Sequence, residues 1–126
     1  GRVLGGNLAT LCHLLATPYQ PDLTNRILLL EDVAEAPYRG DRMLTQMKLA
    51  GCLENISGVV LGTFTRCGKR DEIYRIIRER FEEYDIPMLA GVPVGHGRSH
   101  VMIPLGLTAT LDTGRKTLTF HEIATV

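Results

Sequence analysis

Arg26-Ile27-Leu28-Leu29-Leu30-Glu31-Asp32 is the stretch that decides the fold. Its apolar residues run without alternation, and a short unbroken apolar run fits a strand buried on both faces, the kind a parallel sheet needs. The run ends in Glu31-Asp32. Downstream, Pro37 suits the first turn of a helix, and Met43, Leu44, Met47 and Ala50 follow helical spacing up to Gly51, a natural residue just past a helix end. Gly58–Phe64 (GVVLGTF) reads as a second buried strand. Asp71 caps a third segment, in which Ile73, Ile76, Ile77, Phe81 and Tyr84 share one helical face. Pro87 precedes a short strand over Met88–Val92, and a Gly- and Pro-rich loop spans Gly91–Gly97.

Upstream, Gly5-Gly6-Asn7 reads as a turn and Leu8–Ala16 as a short helix closed by Thr17-Pro18, with a polar loop over Gln20–Asn25. The tail changes character. Val101–Ile103, Thr108–Leu111 and Leu118–His121 are short and β-rich, separated by Pro104, Gly106 and Asp112-Thr113-Gly114, which predicts antiparallel strands joined by turns. The expectation is a single α/β domain: about three buried strands alternating with helices, then a short antiparallel β meander.

The 126 residues suit one domain with a core of its own. Lys plus Arg equals Asp plus Glu, 14 of each. That balance argues against a nucleic-acid partner, because such binding is driven by clustered cationic charge; the one short basic cluster, Arg66, Lys69 and Arg70, reads as a solvated loop. Cys12, Cys52 and Cys67 are odd in number and lack CxxC spacing, so they read as reduced thiols rather than disulfides or zinc ligands. No segment approaches the roughly 18 apolar residues of a membrane span. The chain begins at Gly1 rather than Met, so missing targeting signals say little about its parent.

In open α/β sheets, chemistry collects at the carboxyl ends of strands. Two such ends carry titratable residues: Glu31, directly after Ile27–Leu30, and His96, in Gly95-His96-Gly97. Flanking glycines allow a sharp bend and close approach, and an imidazole there works near neutral pH. Each residue also has an ordinary reading. Glu31-Asp32 suits a helix start, and His96 suits a loop. Together they suit a carboxylate orienting a general base.

A nucleophile is harder to find. Ser57 lies at the wrong end of its strand, and Ser99, in Gly97-Arg98-Ser99-His100, lacks a G-x-S-x-G elbow. Cys67 is a thiol in a loop expected to be exposed, with nothing to activate it. His96 and His100 are four apart without a helix to align them, and neither an HExxH motif nor a phosphate loop or dinucleotide fingerprint is present.

Leu30-Glu31-Asp32-Val33-Ala34-Glu35-Ala36-Pro37-Tyr38-Arg39-Gly40-Asp41-Arg42-Met43-Leu44 resembles the signature of the LD-carboxypeptidase family of serine peptidases. The likeness continues through Gly5-Gly6-Asn7-Leu8-Ala9 with Ala16-Thr17-Pro18, through Gly58–Phe64, and through Gly95-His96 with Ile103-Pro104-Leu105-Gly106. It covers nearly the whole chain. It implies a swivelling β/β/α-type C-terminal domain carrying Glu31 and His96 of a Ser–His–Glu triad, while an absent N-terminal domain carries the serine and the oxyanion hole. It further implies release of the terminal D-alanine from murein tetrapeptides during cytoplasmic cell-wall recycling, with no metal or cofactor, no nucleic-acid or membrane partner, and a homodimeric parent. This chain alone is expected to be inactive. A related branch, the microcin C immunity peptidases, cuts a different carboxyl-terminal linkage; Pro-Tyr-Arg-x-Asp-Arg here looks more like the murein branch. Two rival readings remain: a non-catalytic binding module of the same fold, and a cysteine hydrolase pairing Cys67 with His96, which requires a fast-alkylating Cys67.

Overall fold

The computed structural model of the protein describes residues 1–125. Strand β1 (Arg2–Asn7) leads into helix α1 (Leu8–His13), then β2 (Arg26–Val33), α2 (Pro37–Leu49), β3 (Gly58–Thr65) and α3 (Arg70–Phe81). A 3-10 turn (Glu82–Tyr84) precedes β4 (Met88–Ala90), and β5 (Ala109–Asp112) and β6 (Thr117–Phe120) close the chain. Strands β1 to β4 form one parallel sheet in sequence order, and β5 pairs with β6 in an antiparallel hairpin.

That order fixes the layers. Right-handed crossovers that always step the same way put every helix on one face of the sheet. On that face Leu28, Leu30, Val59 and Leu61 pack against Leu8 and Leu11 of α1, Leu44 and Met47 of α2, and Ile73, Ile77 and Phe81 of α3. The alternate residues Val3, Ile27, Leu29 and Val60 point the other way. They are covered by Val94, Ala109 and the partly buried Ile103, Leu111, Leu118 and Phe120. The unbroken Ile27–Leu30 run is therefore one strand with two covered faces, in a β/β/α sandwich. Each fully buried leucine in it contributes about 2 kcal/mol.

The structure departs from the sequence expectations at several places. Gly5-Gly6-Asn7 is not a turn but the end of β1, in register with Leu29, Leu30 and Glu31 of β2. A Cβ at Gly5 would collide with the backbone of Leu29, so glycine is there for close strand approach, and the missing side chains hid the strand pattern. Strand β2 does not stop at Leu30 but runs through Glu31 and Asp32 to Val33, with a register shift between Leu30 and Asp32. Helix α1 ends at His13, with Leu14 as its cap. Helix α3 begins at Arg70 with Lys69 in the cap position; Asp71 lies in the first turn, where it favours the helix dipole, and is not the cap. Strand β4 stops at Ala90, short of Val92. Val101–Ile103 forms no strand: Val101 donates to the Pro93 carbonyl at 2.7 Å, and Ile103 packs beneath the sheet. The antiparallel tail is a single hairpin, while Gly106–Ala109 covers the free edge of β1 through bonds between Val3 and both Leu107 and Gly106.

Candidate active site

The carboxyl ends of β1, β2, β3 and β4 converge on one rim. Asp32, 2% exposed, ties two of them together. Its Oδ1 accepts from Asn7 Nδ2 and from the Val33 amide, both at 2.8 Å, and its Oδ2 accepts from the Ala9 amide at 3.1 Å. Asn7 in turn caps α1, accepting from the Thr10 amide at 2.9 Å. A buried carboxylate persists only when it is paired or hydrogen-bonded, and this one spends its acceptors joining β1, α1 and β2. That bracing supports the adjacent Glu31.

Glu31 is also buried, with its side chain 8% exposed. Its Oε2 lies 2.7 Å from His96 Nδ1, the length of a charge-assisted hydrogen bond. The His96 ring is 54% exposed. With Nδ1 donating to the carboxylate, Nε2 is the nitrogen left to take a proton from a nucleophile, the arrangement of a hydrolase triad's base and its orienting acid.

Backbone packing sets this geometry. Thr63 of β3 holds the Val94 carbonyl twice, from its amide at 2.8 Å and from its hydroxyl at 3.0 Å. Gly62 leaves room for that carbonyl; a Cβ there would stand 2.5 Å from Val94 O. Gly95 then turns with φ +109°, and a Cβ on it would lie 2.5 Å from Glu31 Oε2. Gly97 seats against Thr63, where a Cβ would meet Cγ2 at 2.9 Å. The glycines flanking His96 thus do what the sequence suggested, bringing backbone hard against the carboxylate and the strand.

The other candidates stay apart from this pair. Ser57 sits at the amino end of β3, where its amide donates to the Arg26 carbonyl. Ser99 lies on the exposed loop, with no hydrogen bond to His96 among the described residues. His100 Nδ1 faces the Gly95 carbonyl at 3.2 Å, so His96 and His100 do not converge. No group of three or more His, Cys, Asp or Glu is placed for a metal among the described residues. Cys67 corrects an expectation: it is 1% exposed rather than in an open loop, and its Sγ is directed at the Thr65 carbonyl. Burial pushes its thiol above the ordinary value, the opposite of an activated nucleophile, so the cysteine-hydrolase reading loses its basis. Arg66, Lys69 and Arg70 are exposed, as a solvated cluster would be.

Residues 1–111 match the family described as the LD-carboxypeptidase C-terminal domain. The chain belongs to the LD-carboxypeptidase family. A Bacillus subtilis protein named as a probable murein peptide carboxypeptidase is 35% identical over 123 residues, 93% of this chain and 38% of its own length. The crystal structure of muramoyltetrapeptide carboxypeptidase from Oxalobacter formigenes superposes with a TM-score of 0.76 at 35% identity, covering 86% of this chain and 40% of that one. The wild-type microcin C7 self-immunity protein, an Escherichia coli protein, superposes with a TM-score of 0.86 at 28% identity, covering 98% of this chain and 38% of that one. The chain thus spans about two fifths of the length of these proteins.

Within this LD-carboxypeptidase domain, three residues carry structural weight that the sequence did not reveal. Asp32 looked like a neighbour of Glu31, and Thr63 and Gly62 looked like ordinary strand residues. A carboxylate embedded in an apolar strand directly after Glu31 was the one available signal for Asp32, since such a group demands several donors. No part of the sequence pattern pointed to the double hold of Thr63 on Val94.

No described helix is long and apolar enough to cross a membrane.

Proposed function

We propose that this chain is the Glu- and His-bearing domain of a serine-type LD-carboxypeptidase that releases the terminal D-alanine from murein tetrapeptides. The observation that carries the reading is the buried Glu31 carboxylate 2.7 Å from His96 Nδ1 beneath a half-exposed ring. The serine and the oxyanion hole would come from an N-terminal domain of the parent chain. In that assembly His96 Nε2 takes the proton as the serine hydroxyl attacks the carbonyl of the L,D peptide bond. It then delivers the proton to the amine of the departing D-alanine. Water enters, and the same base activates it to hydrolyse the acyl-enzyme. Glu31 holds Nδ1–H and stabilises the imidazolium in both halves. The reading uses no metal or cofactor. Its setting is cell-wall recycling in the cytoplasm, with the parent acting as a homodimer.

The test is product analysis. The parent chain incubated with murein tetrapeptide is expected to release free D-alanine, detected with D-amino acid oxidase, and the 126-residue chain alone is expected to release none. Turnover by this chain alone that disappears in His96→Ala would place the nucleophile within these residues and overturn the two-domain reading.

A second reading follows from the fit to the microcin C7 self-immunity protein, which covers 98% of this chain. In that case the parent would cleave an aminoacyl sulfamoyl nucleoside, the class of compound bound in two structures of that protein, in preference to a murein peptide. Offering both substrates to the same preparation separates the two.

A further inference from the structure

Two clefts flank the His96 loop, and they differ in chemistry. One, of about 650 Å³, runs beside Glu31 and Gly95 and is walled largely by apolar groups, among them Leu29, Met102, Ile103 and Leu105. The other, of about 380 Å³, opens at the carboxyl ends of β3 and β4, with Thr63, Arg70, Tyr74, Gly97, Arg98 and Ser99 in its wall. Gly97, which follows His96 directly, forms part of that second wall. Two arginines contribute to it and no aspartate or glutamate does, among the described residues.

Neither arginine is committed elsewhere. Arg39, Arg75, Arg80 and Arg115 each lie within 3.8 Å of a carboxylate, whereas Arg98 makes no ion pair among the described residues. Arg70 has only Asp71, at 3.9 Å between side chains 77% and 97% exposed, a contact that water screens almost fully. Its guanidinium stands 5.9 Å from the Tyr74 ring centroid, and the Tyr74 hydroxyl is tied to the Gly62 carbonyl at 3.2 Å. Arg70 therefore rests on an anchored aromatic, Arg98 lies two residues past His96 on its loop, and both line this cleft. An arginine fork matches a carboxylate bidentately.

We propose that this cleft is the subsite for the free α-carboxylate of the substrate's terminal residue, held by Arg98 together with Arg70, with Ser99 Oγ as an added donor. The proposal rests on the carboxypeptidase reading above and supplies what an exopeptidase requires: a reason to act on the last residue and on no internal bond. A peptide whose terminal carboxylate is masked leaves two cations facing a neutral group and loses the charge-assisted bonds.

The experiment uses the full-length parent and two substrates, a murein tetrapeptide with a free D-alanine carboxylate and the same peptide as its carboxamide. The unaltered enzyme should favour the acid. Arg98→Gln should lower kcat/KM for the acid by about 10- to 100-fold, the range of one lost charge-assisted hydrogen bond, and lower it by a much smaller factor for the amide. Arg98→Lys should restore part of the preference, and Arg70→Gln should reduce it by a smaller factor. An acid preference that survives in the Arg98→Gln/Arg70→Gln double variant overturns the subsite. So does an equal fall on both substrates, which marks a structural role. The catalytic reading fails on a different result, hydrolysis of either substrate persisting in His96→Ala, so the two failures are distinguishable.

Discussion

Replacing Gly95 by alanine strikes the site at the point where backbone touches carboxylate. The residue has φ +109°, and the added Cβ would stand 2.5 Å from Glu31 Oε2 and 2.9 Å from both Cβ and Cγ of the same side chain. Holding an L-residue in so sparsely populated a conformation costs about 1–3 kcal/mol. Pushing Glu31 away from His96 forfeits a charge-assisted bond worth about 1.5–3 kcal/mol. The combined expectation is a loss of about 3 kcal/mol, part of the second contribution being recovered as the displaced groups meet water. Gly91→Ala is the matched control, because Gly91 has φ +85° yet a Cβ there meets nothing within 4 Å. It should lose only the backbone share, about 1 kcal/mol. For a chain of this size the two correspond to falls in Tm of about 12 °C and about 4 °C, measured by circular dichroism. Nitrogen NMR of the His96 ring supplies a second readout: the Nδ1–H tautomer should dominate in the native chain and in Gly91→Ala, and give way to a mixture in Gly95→Ala. Equal falls in Tm, with the His96 tautomer unchanged, would refute the close-packing account of the loop.

Asp32→Ala removes the acceptor for Asn7 Nδ2 and for the amides of Ala9 and Val33, and should cost about 3 kcal/mol in urea unfolding, since stranded buried donors each carry a penalty. Burial pushes the Cys12 thiol up to about 11 from 9.0. A raised folded value leaves stability intact below the unfolded pKa and loses it as pH climbs through the folded one. Stability should therefore drop between about pH 9 and pH 11, and the drop should be shallower in Cys12→Ala by about 2 kcal/mol, read from urea midpoints across that range. Cys52 is half-buried whereas Cys67 and Cys12 are buried, so alkylation at pH 8 should modify Cys52 first; rapid, selective labelling of Cys67 would revive the cysteine-hydrolase reading.

The strands and helices that announced themselves in the sequence were those with enough side chains to print a period. Ile27–Leu30 and Gly58–Phe64 are apolar on both faces because helices cover one side and the hairpin and loops cover the other. Helix α2 showed its proline start and its stripe of Met43, Leu44 and Met47. Strand β1 stayed hidden because its pairing depends on two glycines, whose value is the space they leave beside Leu29. Val101–Ile103 misled for the opposite reason: its residues favour a strand, but no neighbouring strand completes a ladder, and only Ile103 packs against the sheet while Val101 and Met102 are exposed. At the site, Glu31 and His96 were legible as types at strand ends, and the structure brings them together at 2.7 Å across 65 residues of sequence. What holds them there was not legible, because it lies in backbone contacts. Beyond the glycines beside His96, which the sequence did mark, the hold of Thr63 on the Val94 carbonyl and the fit of Gly62 against it leave no signature in residue type.

The central claim is that Glu31 and His96 form the proton-handling half of a hydrolase triad, and steady-state hydrolysis of murein tetrapeptide by the full-length parent tests it most directly. Glu31→Gln preserves the shape of the side chain and removes the charge that orients His96 Nδ1–H. It should lower kcat by about 10⁴-fold, the loss seen when a triad acid is made neutral, and His96→Ala should lower it at least as far, with circular dichroism showing that each variant is still folded at the assay temperature. Full activity in either well-folded variant would contradict the account.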